Sequence, residues 1–344
     1  MAGVDRSNSR AASPPPLQWN TKLLLAAHTF AMDCSCRSNG TVNRGLMNFL
    51  DLKAPPSPNP TNGVTSSDIT VDPSRNLWFR LFTSSAPAHS DTKLPVVVFF
   101  HGGGFAFFSA NSKPYDDLCR RLASDLPAVV ISVNYRLAPE HRFPSQYDDG
   151  FQTLKFLDAD EGLHLPPHAD LGRCFLAGDS AGGNIAHHVT LRAAANHGEF
   201  VKLKILGLVA IQAFFGGEER TESELRLTNV PLVKLERTDW MWRAVLPPGS
   251  DRNHEAANVF SGDVSGVEKY PAVMVVVGGF DPLQDWQRRF YEWVNKAGKE
   301  AYLVEYPNAI HAFYSFPELP EGSLLISEIR EFVRKQSLHS RFSY

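Results

Sequence analysis

The sequence predicts an α/β protein with a mostly parallel central sheet. Strand-like runs of apolar residues alternate with helical segments along most of the chain, as in sheets whose strands are joined by crossover helices. Several of these runs are apolar throughout, which is typical of strands that helices cover on both faces. A composition of 43% hydrophobic and 21% charged residues fits a globular protein.

The first sixty residues precede this alternation. Residues 1–16 are polar, end in three prolines and are predicted to form a disordered tail. Apolar residues at helical spacing predict an amphipathic helix over 19–32 and a shorter helix at 46–50. The prolines of 55–60 end any helix and indicate an extended connector. We therefore predict a helical N-terminal lid at 17–60.

The remaining residues, 61–344, are predicted to form the core. It opens with two strands, at 65–71 and 77–82, that we expect to pair antiparallel. Six further strands are predicted at 94–100, 128–135, 173–177, 203–211, 272–277 and 301–305. Helices are predicted near 115–125, 145–158, 183–195, 285–297 and 323–336.

One connection is too long to be an ordinary loop. About sixty residues separate the strand that ends near 212 from the one that begins at 272. We predict a cap insertion at about 215–268 over the active face, partnered by the N-terminal helices. The alternative is a long surface loop without contact to a substrate.

Charge and cysteine content exclude several classes of protein. The net charge is −3 and no basic stripe is present, so nucleic acid is not expected as a partner. The four cysteines lack the paired spacing of a metal site, so neither a metal nor a disulfide framework is expected. We find no signal peptide and no transmembrane run, and we expect a cytoplasmic or nuclear location without membrane insertion.

A candidate nucleophile lies at a predicted strand-to-helix turn. Residues 178–182 read Gly-Asp-Ser-Ala-Gly, with the serine at 180. Small residues two before and two after a serine let the backbone turn sharply and expose the hydroxyl. The motif occurs by chance, but its position between a strand and a helix favours a nucleophilic Ser180, with the amide of Ala181 as an oxyanion donor.

A second glycine motif follows the strand predicted at 94–100. Residues 101–104 read His-Gly-Gly-Gly, and consecutive glycines let main-chain amides approach a substrate oxygen. Such amides donate to the oxyanion of a tetrahedral intermediate. The alternatives are a flexible turn or a phosphate-binding loop, but residues 105–108 contain no Lys-Ser/Thr pair.

The base and the acid must follow the serine in the order Ser, Asp, His in the α/β-hydrolase fold. Asp281 comes just after the strand predicted at 272–277, and His311 follows the strand at 301–305. Both therefore lie at the same sheet edge as Ser180, which predicts a catalytic triad. Asp285 is the competing acid, but we expect it to cap the next helix. Asp179 is expected to brace the turn that carries the serine.

Aromatic and other apolar residues near these loops predict a pocket for a small ester. The candidates for substrate contact are Phe105, Phe214, Trp240, Met241 and Tyr314. The sequence does not separate an esterase from an amidase or a lactonase with the same triad. It leaves the acyl and alcohol preferences, any protein partner and the oligomeric state open.

The joint pattern resembles the hormone-sensitive-lipase family of esterases. The resemblance lies in the runs at 101–104, 134–140 (Asn-Tyr-Arg-Leu-Ala-Pro-Glu), 147–150 (Tyr-Asp-Asp-Gly), 178–184 and 280–283 (Phe-Asp-Pro-Leu). The segment 19–60, with Gly-Thr-Val-Asn-Arg at 40–44, is similar to plant carboxylesterases and gibberellin receptors, and 215–222 supports the same group. This resemblance implies an esterase with a helical N-terminal lid and no cofactor, whose oxyanion donors are Gly103, Gly104 and Ala181.

The receptors of that group are the alternative hypothesis, since they bind a hormone and do not hydrolyse an ester. They resemble this chain but carry an apolar residue in place of the histidine, which is His311 here. They also carry a serine where this chain has Gly104, and an Arg and a Tyr on the cap helix where it has Thr238 and Met241. These three differences favour the esterase.

Overall fold

The computed structural model describes residues 17–84, 93–316 and 318–342. Its described strands form one eight-stranded sheet in the order β1-β2-β4-β3-β5-β6-β7-β8. The strands are β1 (Val64–Asp72), β2 (Leu77–Ser84), β3 (Leu94–Phe100), β4 (Val129–Asn134), β5 (Ala169–Asp179), β6 (Ile205–Ile211), β7 (Ala272–Phe280) and β8 (Ala301–Ile310). The first two pair antiparallel, β2 also runs antiparallel to β4, and all other pairs are parallel. The predicted fold class is confirmed, and the predicted tail at 1–16 lies outside the described residues.

Helices cover both faces of the sheet. They are α1 (Trp19–Ser35), α2 (Arg44–Leu50), α3 (Lys113–Asp125), α4 (Ser145–Ala159), α5 (Ala181–Ala195), α6 (Glu222–Arg226), α7 (Leu235–Val245), α8 (Gln284–Lys296) and α9 (Glu321–Phe342). Alternate residues of β3 point to opposite faces: Val96 and Val98 pack in the core with α4, α5 and α8, and Val97 and Phe99 pack with α3 and α9. This burial on both faces explains the continuous apolar runs in the sequence.

Three strands are longer than predicted by three residues or more. β5 begins at Ala169, and β7 and β8 continue to Phe280 and Ile310. The end of β8 contains Pro307 and Asn308, which disfavour a central strand. At the edge of the sheet, where β8 pairs only with β7, these residues are tolerated.

The connection from β6 to β7 contains α6 and α7 and packs against the N-terminal helix. The Arg237 guanidinium on α7 donates to the Asp33 carboxylate and, at 3.2 Å, to the carbonyl of Thr29 on α1. The Trp240 indole nitrogen donates to the carbonyl of Arg37 at 2.9 Å. Residues two hundred positions apart in the chain thus share one interface. Within the described ranges, no helix combines the length and the apolar character that crossing a membrane requires.

Candidate active site

Four adjacent parallel strands end in the residues that form the site. Ser180 directly follows β5, Gln212 follows β6, Asp281 follows β7 and His311 follows β8. Neighbouring strands lie about 4.8 Å apart, so β5 and β8 are separated by roughly 14 Å. The loops after the outer strands must therefore lean inward for the imidazole to approach the serine.

Ser180 sits on a sharp turn with an unusual backbone. Its φ of 52° and ψ of −120° lie outside the regions that an L-residue normally occupies, and such strain concentrates at functional sites. A Cβ at Gly178 would come within 2.2 Å of the carbonyl oxygen of Gly182, and a Cβ at Gly182 within 2.0 Å of the carbonyl oxygen of Phe100, so both flanking glycines are required by close backbone approaches. The backbone N–H of Ser180 donates to Ile211 on β6, which fixes the turn against the sheet.

His311 and Asp281 form a buried hydrogen-bonded pair. The Nδ1 atom of His311 lies 2.8 Å from the Oδ2 atom of Asp281, which is fully buried. Burial alone would lower the pKa of His311, but the charge and hydrogen bond of Asp281, together with the charge of Asp179, raise it above its ordinary value. A proton on Nδ1 leaves Nε2 as the basic nitrogen.

The Asp281 carboxylate is oriented by several donors. Oδ2 also accepts hydrogen bonds from the side-chain amides of Gln212 at 3.1 Å and Gln287 at 2.9 Å, and Oδ1 accepts from the backbone N–H of Leu283. Asp285, the competing acid, instead accepts from the backbone N–H of Ser223 at 2.8 Å. The prediction that Asp285 caps its own helix is therefore wrong: it is the second residue of α8, and its carboxylate binds the backbone of α6 instead.

The glycine loop after β3 faces the same cavity. Gly103 and Gly104 both line it and have positive φ angles of 103° and 60°. A Cβ at Gly104 would come within 2.1 Å of the Sδ atom of Met241, so the thioether on α7 occupies the space above that glycine. Ala181, the other predicted oxyanion donor, is buried at the first position of α5, where backbone N–H groups have no intrahelical partner.

Asp179 ties three parts of the site together. Its carboxylate accepts from the backbone N–H of Gly102 at 2.8 Å, from the Tyr115 hydroxyl at 3.0 Å and from the Tyr314 hydroxyl at 2.6 Å. Burial raises the pKa of Asp179 to about 6, while the two tyrosine hydroxyls and the charge of His311 act in the opposite direction. Asp179 thus braces the turn that carries the serine, as the sequence predicts.

A cavity of about 430 Å³ joins these groups. Ser180, His311, Gly103 and Gly104 lie on its inner wall. The N-terminal helix contributes five outer-wall residues, Thr21, Leu24, Leu25, His28 and Met32. Much of the remaining wall is apolar, so the cavity suits a ligand with a substantial hydrophobic part.

Two of the five predicted substrate contacts line this cavity, Phe214 and Met241. The other three residues predicted to contact the substrate do not line it. Phe105 is fully buried behind the wall, with its ring 5.5 Å from that of Trp242. Trp240 points to the N-terminal segment and Tyr314 to Asp179.

Gln212 is the site residue that the sequence analysis missed. Its side-chain amide is fully buried, and it contacts both Asp281 and the segment that carries His311. Its only signal is a polar residue directly after an apolar strand. No motif surrounds it, so the sequence analysis assigned it only as the end of the predicted strand.

Metal chemistry finds no support in the described ranges, where no three His, Cys, Asp or Glu side chains are grouped so that they could hold a metal ion. All four cysteines lie in described segments and are unbridged. The expectation that no cofactor is needed remains a prediction.

Comparison with known proteins assigns the family. A family profile described as the alpha/beta hydrolase fold matches residues 97–315, which is more than half of the chain. The chain belongs to this family. Among its relatives are gibberellin receptor GID1C of Arabidopsis thaliana, 40% identical with 98% of this chain and 99% of the receptor covered, and carboxylesterase 20 of the same plant, 40% identical with 79% and 86% covered. A solved structure of a hyperthermophilic esterase from Pyrobaculum calidifontis superimposes with a TM-score of 0.74 at 26% identity, covering 94% of this chain and 99% of the other.

Proposed function

We propose that the protein is a serine carboxylesterase that hydrolyses esters of small apolar or aromatic substrates through an acyl-enzyme intermediate. One observation carries this proposal: Ser180 and His311 line one apolar cavity, and the imidazole is hydrogen-bonded to a buried carboxylate. Relatedness to a plant carboxylesterase over 79% of the chain supports the same activity. Within that group, we propose that the chain stands nearest to the plant protein called probable carboxylesterase 18, on the motifs at 101–104 and 178–184 and the N-terminal segment.

In this mechanism His311 accepts the proton of the Ser180 hydroxyl as the oxygen attacks the ester carbonyl. Asp281 holds the imidazole in place and stabilises its positive charge. The amides of Gly103, Gly104 and Ala181 donate to the oxyanion. His311 then protonates the leaving alcohol, and a water that it activates releases the acid and restores the serine.

We also propose a role for the two segments outside the sheet. Residues 17–60 act as a lid and the insertion at about 215–268 acts as a cap, because α1 and α7 both contribute to the cavity wall. The apolar wall favours an uncharged ester, and the volume of about 430 Å³ favours a small one. We expect the protein to act in the cytoplasm or the nucleus.

Labelling with a fluorophosphonate probe and hydrolysis of a short-chain aryl ester test the proposal. Ser180→Ala should abolish labelling and lower kcat by on the order of 10⁶, as loss of a triad nucleophile does. Ser315→Ala is the matched control, because Ser315 lines the same cavity, and it should be labelled like the unmodified protein. Turnover by Ser180→Ala within tenfold of the unmodified protein would refute the mechanism.

The second candidate is a receptor-like protein that binds a small carboxylic acid without hydrolysing an ester. It is favoured by the 40% identity to a gibberellin receptor, which spans 98% of this chain and so includes the lid. Calorimetric titration of Ser180→Ala with a gibberellin separates the two functions. Submicromolar binding would establish the receptor if the unmodified protein shows no esterase turnover, and turnover by the unmodified protein without such binding would dismiss it.

A further inference from the structure

The loop that carries His311 has a longer distance to cover than the other site loops. β8 is the edge strand and lies three positions from β5, so the imidazole must be held over the ends of β6 and β7. Asp281 fixes the ring through Nδ1, but one hydrogen bond does not fix the backbone from which the ring projects. A second attachment is therefore required for the ring to stay at a constant distance from Ser180.

Gln212 makes that attachment on both sides of the histidine. Its Nε2 donates to the carbonyl oxygen of Ile310 at 3.2 Å, and its Oε1 accepts from the backbone N–H of Ala312 at 2.8 Å. The same Nε2 donates to Asp281 Oδ2 at 3.1 Å. One amide thus contacts the acid and the residues before and after the base.

The orientation of this amide follows from its partners. Two of them are acceptor oxygens and the third is an N–H donor. A flipped amide would therefore place its oxygen against the two acceptors and its NH₂ group against the donor. Gly278 on β7 provides the room, since a Cβ there would come within 2.5 Å of Gln212 Nε2. Gln212 itself has a φ of 44°, a strained value for a residue other than glycine, which indicates that its position is imposed by its surroundings.

We infer that Gln212 is a positioning residue that brackets His311 and holds it at the distance from Ser180 that proton transfer requires. This inference rests on the proposed function. Gln212 acts through His311 and Asp281 and does not line the cavity. Its loss should therefore reduce kcat and leave KM nearly unchanged.

The chain offers a matched control in Gln287. This glutamine is also fully buried and also donates to Asp281 Oδ2, at 2.9 Å. Among the described residues, its side chain makes no hydrogen bond to residues 310–312, and its Oε1 has no hydrogen-bond partner. Gln212→Met and Gln287→Met therefore each remove one donor from the same carboxylate oxygen, but only the first releases the histidine loop.

The experiment compares kcat, KM and the pH profile of kcat/KM for both variants with the unmodified enzyme. We expect kcat of Gln212→Met to fall by about 100-fold, as for a misplacement of roughly 1 Å, and kcat of Gln287→Met by about fivefold. The acid limb of the Gln212→Met profile should also move to lower pH, because a loosened His311 interacts less with Asp281. Losses in kcat within threefold of each other, with identical acid limbs, would overturn the inference.

Gln212→Glu provides a conservative test if the methionine variant does not fold. Two adjacent buried carboxylates repel each other, so the new side chain holds a proton at low pH. In that form it donates to Asp281 and still accepts from Ala312. It should retain more activity than Gln212→Met and lose it as the pH rises, and a pH-independent defect would contradict the bracketing. Hydrogen exchange adds a readout that needs no turnover: the Ala312 amide should lose protection in Gln212→Met but not in Gln287→Met. An unmodified protein with neither turnover nor probe labelling would overturn the proposed function, and this inference with it.

Discussion

Asp179→Asn should make the protein more stable at neutral pH and less active. Burial raises the pKa of Asp179 to about 6 in the folded protein, whereas the ordinary pKa of this carboxyl group is 3.8. Because the folded pKa is raised, this group favours folding below pH 3.8, and that advantage is lost as the pH rises to 6. A rise of roughly two pH units corresponds to about 3 kcal/mol against folding at neutral pH. Asparagine carries no charge and removes this cost.

The net gain is smaller, because an amide makes weaker hydrogen bonds than a carboxylate with the tyrosine hydroxyls. We expect Asp179→Asn to be more stable than the unmodified protein by about 1–2 kcal/mol at pH 7.5 and nearly equal to it at pH 4.5. Urea unfolding of both proteins at the two pH values measures this. The variant also lacks the negative charge that raises the pKa of His311, so the acid limb of its kcat/KM profile should move to lower pH.

An Asp179→Asn protein that is destabilised equally at pH 4.5 and pH 7.5 would refute the reasoning. It would mean that Asp179 is already charged and fully stabilised by its donors throughout this range. Tyr314→Phe is the control. It removes one donor that lowers the pKa of Asp179, so it should destabilise the protein at pH 7.5 without relieving the burial of the charge.

Three further predictions follow from other parts of the structure. Gly104→Ala should cost about 1 kcal/mol of stability because residue 104 has a left-handed backbone, and it should displace Met241, whose Sδ atom lies 2.1 Å from the new Cβ. Adding Met241→Ala should restore the aryl-ester turnover that this displacement removes. If turnover is not restored, the loss arises from the backbone of the loop itself. Burial holds the pKa of His187 well below 6.5, so the neutral imidazole stabilises the fold fully above pH 6.5 and this stabilisation is lost as the pH falls. At pH 5 the free energy of unfolding is lower by about 2 kcal/mol. Urea unfolding of His187→Phe should therefore show a smaller loss of stability between pH 7.5 and pH 5 than the unmodified protein does. Arg237→Met removes the hydrogen bonds to Asp33 and to the α1 backbone. Limited proteolysis should therefore cut residues 17–60 faster, while probe labelling of Ser180 persists. An unchanged rate of proteolysis would show that apolar contacts alone hold α1.

The sequence predicts the sheet well because burial on both faces leaves a clear pattern. Six apolar runs become strands near the predicted positions, since β-branched and aromatic residues covered by helices cannot be confused with loops. The end of β8 was missed because an edge strand tolerates proline and polar residues. That error shortened the predicted strand but did not change the edge at which His311 lies.

The site was predictable where a glycine motif marks a backbone conformation or a close approach that other residues do not allow. The glycines around Ser180 and the loop at 101–104 mark close approaches that no other residue allows. Side-chain direction is not encoded in this way: Trp240 and Tyr314 are aromatic and near the site, yet their polar atoms point to Arg37 and Asp179. A residue type indicates what a group can do, and the surrounding packing decides where it points.

The pairing of α1 with α7 also has a consequence for the order of assembly during synthesis. Asp33 and Arg237 are 204 residues apart in the chain. A ribosome that adds about 5–20 residues per second needs roughly 10–40 s to produce the second partner after the first. The earliest helix to be made therefore remains without its docking surface for that time. Asp281 and His311 are synthesised later still, so both helices of the outer wall exist before the reactive groups are complete.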